Sequence, residues 1–230
     1  MKIAIMQPYF LPYIGYIQLI KSVDTFVLYD DVNYIERGWI NRNFFLCNNN
    51  KKLLTLKLSK ASCNKLIKDI NILPMSEQSI FKTIYQSYSR APYFKNIESL
   101  LDETISYDEQ NLSLFIFNHL QLLCRFLNIK TNIILSSTIE KDQNLKGQEK
   151  VLNICSKLNA TCCINPSGSK EMYEKTIFIK NSQQMFFIKP FLPVYRQFNI
   201  HFVNGLSFLD ILMFNSKDQV LEFIDRYTLE

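Results

Sequence analysis

The chain contains only two histidines and one tryptophan, and its six cysteines show no CxxC spacing. That scarcity excludes a zinc signature, and it makes a disulfide framework a poor reading; free thiols in a reducing cytosol are expected instead. The adjacent pair Cys162-Cys163 is likewise read as structural thiols. No stretch approaches the ~18 apolar residues of a membrane helix, and Met1–Pro8 is too short an apolar run to be a signal peptide. Cytoplasmic localisation without a membrane span is therefore expected. The net charge of +5 is spread along the chain, and a nucleic-acid binder would show a basic stripe. There is no G-x-x-x-x-G-K-[ST], G-x-G-x-x-G or G-x-S-x-G motif, no repeat and no low-complexity segment.

What is present is a globular balance, 47% hydrophobic and 20% charged over 230 residues, enough for one domain or two small ones. Lys2–Met6 and the β-branched, aromatic Asp24–Tyr29 read as buried strands around a helix, Tyr13–Ser22. That unit implies parallel pairing by a crossover. Phe44–Cys47 and Leu53–Leu58 read as a hairpin joined at Asn48–Lys51. Helices are expected at Ser76–Arg90, Tyr93–Thr104 and Asp108–Asn128, the last with an apolar face that includes Phe115, Leu120 and Leu127. Asn132–Leu135, Gly147–Leu158 and Thr161–Ile164 return to strand, helix and strand, and Ser207 and Ser216 cap two closing helices. The expected fold is α/β: a Rossmann-like parallel sheet core, residues 1–72 and 129–230, with a mostly helical insertion over 73–128.

Three segments carry chemistry. Gln7-Pro8-Tyr9-Phe10-Leu11-Pro12-Tyr13-Ile14-Gly15-Tyr16 follows the first strand, at the end where open α/β sheets place ligands. Gly15 in the first helical turn allows close approach, and the free amides there favour an anion such as phosphate. Asp30-Asp31 follows the second strand. Adjacent carboxylates repel unless a cation, a donor or a ligand hydroxyl relieves them, so Asp31 is a candidate to hold a cation or a sugar hydroxyl, or to act as a base. Arg37-Gly38-Trp39-Ile40-Asn41-Arg42-Asn43 gathers two arginines, two asparagines and the single tryptophan. These are residue types that fork onto phosphate, read hydroxyls and stack on a base or sugar. His119 falls near the apolar face of the long helix and reads as a core histidine. His201 follows the polar run Tyr195–Asn199 and is the better acid–base candidate. Asp210, inside an apolar helix, reads as a structural anchor for an arginine or a site acid.

The stretches MQPYFLPYIGYIQLI, DTFVLYDDVNYIERGWINRN, INPSG and LSFLDILMFN together resemble the WbqC-like family of bacterial proteins, over nearly the whole chain. The resemblance implies a role in O-antigen or other surface-polysaccharide synthesis and defines no reaction. A second likeness is to nucleotidylyltransferases, which run strand, proline loop, Gly-His, helix, strand. Their later Ser-Ser-Thr-like turn has a counterpart in Ser136-Ser137-Thr138. Tyr13 and Tyr16 stand where those enzymes keep His or Thr, so anion binding is implied more firmly than nucleotidyl transfer. The combined expectation is an enzyme acting on a nucleotide-linked amino sugar by acyl or aminoacyl transfer, with ATP/Mg or an acyl donor such as acyl-CoA as co-substrate. Its alternative is a non-catalytic partner protein that binds the sugar nucleotide. Catalytic candidates are Asp31, His201 and Tyr16. Binding candidates are Gln7, Pro8, Phe10, Gly15, Asp30, Arg37, Trp39, Asn41, Arg42 and Asn43, with Asn165, Ser167 and Gly168 after the later strand. No metal site is expected, and a homodimer is left open.

Overall fold

A computed structural model describes residues 1–198 and 201–230. The elements run β1 (Lys2–Met6), α1 (Ile14–Lys21), β2 (Thr25–Leu28), β3 (Arg42–Cys47), β4 (Asn50–Thr55), β5 (Leu58–Ser59) and β6 (Asn71–Ile72). Then come α2 (Ile80–Tyr88), α3 (Phe94–Ser106), α4 (Leu112–Phe126), β7 (Asn132–Leu135), α5 (Gly147–Lys157) and β8 (Cys162–Pro166). The chain closes with α6 (Lys175–Lys180), β9 (Gln184–Pro190), α7 (Phe208–Phe214), α8 (Lys217–Asp225) and β10 (Tyr227–Leu229). The protein is mixed α/β, with a six-stranded sheet in the order β10-β9-β8-β1-β2-β7. All neighbours are parallel except β10 on β9. From β1 the chain moves outward through β2 to β7, then crosses back to β8 on the other side of β1. The strand order therefore reverses between β1 and β8.

Strand residues alternate between two faces. Ile3, Ile5, Val27, Cys163 and Phe187 pack with Val151 and Ile154 of α5 and Phe178 of α6. Ala4, Phe26, Leu28, Ile164 and Ile188 pack into the larger cluster that includes α1, α4, α7 and α8. Each face is thus covered by helices, which is why β2 is buried along its whole length. No helix among the described residues is long and apolar enough to cross a membrane.

Local chemistry explains most boundaries. Asn48 and Asn49 take left-handed backbone (φ 49° and 61°) in the β3–β4 turn, the geometry a tight hairpin asks of its central residues. Asn111 caps α4 by accepting from the amides of Ser113 and Leu114, so that helix starts four residues later than the pattern suggests. Ser207 caps α7, and Ser216 forms a full capping box with Gln219 on α8. Ser76 is not a cap: α2 starts at Ile80 because the Gln78 side chain bonds Lys57 and Leu73 backbone atoms and ties the preceding segment to the β4–β5 connection. Phe202 and Val203, although aromatic and β-branched, form no strand; the Val203 amide donates to the Gln197 side chain (2.8 Å).

Asp210 is fully buried and accepts from the hydroxyls of Tyr88 (2.8 Å) and Tyr195 (2.7 Å) and from the Gln197 amide (2.7 Å). Its partners are neutral donors and not the arginine expected. Burial outweighs these bonds and raises its carboxyl. His119 is buried beside Thr104, with Nδ1 3.3 Å from the threonine Oγ1. That hydroxyl gives its hydrogen to the Leu100 carbonyl, so Nδ1–H donates to it and Nε2 is left bare in a neutral ring. Desolvation lowers this histidine from 6.5 to about 4. A depressed histidine means the unfolded chain binds the extra proton, so stability is full above about pH 6.5 and falls as pH drops towards 4. Denaturation at pH 7 and 4.5 checks this: His119→Gln should lose roughly 2.5 kcal/mol less than the native chain over that interval. Equal losses would count against a buried neutral His119.

Candidate functional site

The carboxyl edge of the sheet gathers the ends of β1, β2, β7 and β8. Asp30, after β2, accepts from the Ser137 amide (2.9 Å) and hydroxyl (2.6 Å). This fixes the Ser136–Thr138 turn that follows β7. Asp31 turns to other partners. Its Oδ2 lies 2.8 Å from Lys141 Nζ and 3.1 Å from Lys150 Nζ, with all three side chains buried. Lys141 also donates to the Ser136 carbonyl, and Lys150 donates to the Asp31 carbonyl (2.9 Å) and stands over the Tyr29 ring. Burial alone would raise Asp31; Lys141, Ser136 and Lys150 outweigh it and hold the carboxyl below its usual range. Two carboxylates and two ammoniums thus balance at this edge, which resolves the adjacency of Asp30 and Asp31.

The proline loop and the arginine loop are sewn together. The Phe10 amide donates to the Ile40 carbonyl (2.9 Å), and Asn43 Nδ2 donates to the Leu11 carbonyl (2.7 Å). Leu11 and Arg37 both hold left-handed backbone (φ 47° and 59°), a strain of order 1 kcal/mol each that clusters at functional segments. Asn41 accepts from the Tyr34 hydroxyl and donates to the Leu56 carbonyl, so both asparagines are used inside the protein. Phe10 is core, packed on Phe115 and His119, and Pro8 is buried. Tyr16 is buried against Tyr9 and Phe26, its hydroxyl donates to the Gln7 carbonyl (2.8 Å), and burial raises it well above the usual range. Gly15 does not leave room for a ligand. A Cβ there would meet the Tyr13 ring at 2.4 Å, so the glycine admits Tyr13 instead.

What stays open to solvent is narrower. Arg37 is exposed, Trp39 is 44% exposed beside Phe44, and Arg42 is half-buried with Nε donating to the Gly38 carbonyl. Across β1, Asn165 stands next to last in β8 at 1% exposure. Its Oδ1 lies 4.0 Å from Cys163 Sγ, and its Nδ2 makes no hydrogen bond of normal geometry among the described residues, although the Tyr173 hydroxyl is near enough for the Asn165 side chain to act on it. Ser167 is half-buried and Gly168 exposed in the turn that follows, with open space where a Gly168 side chain would stand. Among the described residues no hydrogen bond joins this turn to the two sewn loops. His201 is exposed between β9 and α7, and Asn199 of the polar run before it lies outside the described residues. No group of three or more metal-ligating side chains occurs among the described residues.

The model of the WbqC-like protein family matches residues 7–222. The chain belongs to that family. A relative is the uncharacterized protein Rv1507c of Mycobacterium tuberculosis (strain ATCC 25618 / H37Rv), 27% identical over 216 residues, which cover 92% of each chain. No solved structure matches the chain significantly. In this WbqC-like chain the matched region takes in both sewn loops, the Asn165 turn and α7. Lys141 and Lys150 are the edge residues that sequence reading passed over, while Ser137 was read within the Ser136–Thr138 turn but not as the partner of Asp30. Lys150 left one signal: it shares the sheet-facing side of α5 with Val151, Ile154 and Cys155.

The cluster predicts unequal substitutions. Asp31→Ala strands two buried ammoniums and should cost about 3–5 kcal/mol. Lys150→Met leaves a matched Lys141–Asp31 pair and should cost less than about 2 kcal/mol. Urea denaturation compares them, and a larger loss for Lys150→Met would refute the assignment.

Proposed function

We propose that the protein is an enzyme of bacterial surface-polysaccharide synthesis that acts on a nucleotide-linked amino sugar by acyl or aminoacyl transfer, with ATP or an acyl-CoA as co-substrate. The family gives the pathway context of this reading. Its single carrying observation is the unpaired, buried Asn165 amide at the crevice where the strand order reverses between β1 and β8. In doubly wound, Rossmann-like sheets that crevice is where nucleotides lie. A buried donor without an acceptor is costly, and a ligand oxygen satisfies it.

In this reading Gln7, Asn165, Ser167 and Gly168 face the nucleotide, and Arg37, Trp39 and Arg42 hold its sugar or phosphates. Asn41, Asn43, Phe10 and Tyr16 brace the loops from inside. Asp31, held ionised by two lysines, is a weak proton acceptor and acts as a positioning residue for the edge. His201 is left as the proton-handling candidate. The same feature favours a second reading, a non-catalytic sugar-nucleotide-binding partner, because Asp31 and Tyr16 are both committed within the fold.

Thermal-shift titration with UDP-N-acetylglucosamine, ATP and acetyl-CoA tests the site, and mass spectrometry of UDP-amino-sugar mixtures tests turnover. Saturating nucleotide sugar should raise the melting temperature by about 4–8 °C. Asn165→Leu removes the unpaired donor, so it should melt no lower than the native chain yet lose most of that rise. A full ligand-induced rise in Asn165→Leu, or none in the native chain with any of these compounds, would sink the proposal. Binding without acylated product selects the second reading.

A further inference from the structure

Helix α2 buries Ile80, Phe81, Ile84 and Tyr88. On its other side Thr83, Gln86 and Ser87 recur at i, i+3 and i+4, a polar stripe along one line of the helix, and Arg90 follows just past the C-cap Ser89. The stripe lines a cavity of about 750 Å³ whose far wall is the β3–β4 hairpin, with Asn48, Asn49 and Lys52. Elements that pack do so through apolar faces. Here two elements face each other across polar side chains and leave a cleft. Among the described residues no aspartate or glutamate lines it, whereas Lys52 and Arg90 both do. One end is closed by Phe198, 42% exposed and set edge-on to Phe214 at 4.7 Å.

We propose that this cleft binds an anionic sugar, a hexose bearing a carboxylate or a phosphate, at a site separate from the β1/β8 crevice. The lining matches that chemistry group by group. Amide and hydroxyl side chains exchange hydrogen bonds with sugar hydroxyls. The exposed aromatic ring offers an apolar face to the carbohydrate ring. The Arg90 fork, with Lys52 as a point charge, takes the acid group. The volume lies within the range of small-molecule sites, and the scarcity of apolar lining disfavours an apolar ligand.

The test titrates the full chain with sodium glucuronate, glucose 1-phosphate, inorganic phosphate and glucose, read by calorimetry and amide chemical shifts. At least one charged sugar should bind about tenfold or more tightly than glucose, and the tighter one identifies the acid group. Arg90→Gln and Lys52→Gln, both at exposed positions, should each weaken it by about tenfold with melting temperature unchanged. Asn165→Leu should leave it intact, which separates this site from the crevice. Absence of binding by both charged sugars overturns the proposal. So does inorganic phosphate binding as tightly as glucose 1-phosphate when glucuronate does not bind, or affinity unmoved by both cleft variants.

Discussion

One buried carboxylate between two buried lysines holds the working edge of this protein together. Asp31 closes β2, Lys141 reaches it from the connection after β7, and Lys150 reaches it from the first turns of α5. Among the described residues those three elements are joined by charge nowhere else at this edge. Asp30 adds the second stitch through Ser137. Because the charges are matched, the edge gains rigidity without a buried excess of either sign. Removing Asp31 leaves two ammoniums uncompensated in a low-dielectric setting, whereas removing one lysine leaves the other paired with Asp31. A carboxylate so committed can orient a site, but it is a poor base.

The consequence for function is a sorting of polar residues into those consumed by the fold and those left over. Asn41, Asn43, Tyr16, Asp30 and Asp31 all have internal partners. The exposed remainder is Arg37 and Trp39, joined by the half-buried Arg42, on one side of β1, with the Asn165–Gly168 turn on the other. Left-handed backbone at Leu11 and Arg37 marks the sewn loops as segments whose conformation the surroundings impose. Among the described residues Asn165 Nδ2 is the one buried side-chain amide donor without a hydrogen-bond partner, and that gives the crevice its chemical meaning.

Much of this was legible in the sequence. Lys2–Met6 and Asn132–Leu135 are strands at the expected bounds, and the serine caps at 207 and 216 are where side-chain chemistry requires them. These features are local, so a short window contains their cause. Two strands of the six-stranded sheet escaped. In β9 the buried Met185, Phe187 and Ile188 break strict alternation and Pro190 suggests a loop, while β10 has only three residues, which pair antiparallel to β9 at the sheet's edge. The site was legible in place and not in role. The Gln7–Asn43 region does come together, but the partners that consume its polar groups lie far along the chain. Lys150 is 119 residues from Asp31 and Ser137 is 107 from Asp30. No pattern in a window of sequence encodes such pairings. Gly15 illustrates the same limit, because its spacing suited a ligand and the Tyr13 ring occupies the space.

The most direct test of the matched-charge edge is a double-mutant cycle between Asp31→Leu and Lys141→Met, measured by urea denaturation of the two single variants and the pair. The account predicts a double variant far more stable than the sum of the single losses implies, with a coupling of at least about 2 kcal/mol. Additive losses, with coupling below about 0.5 kcal/mol, would contradict it.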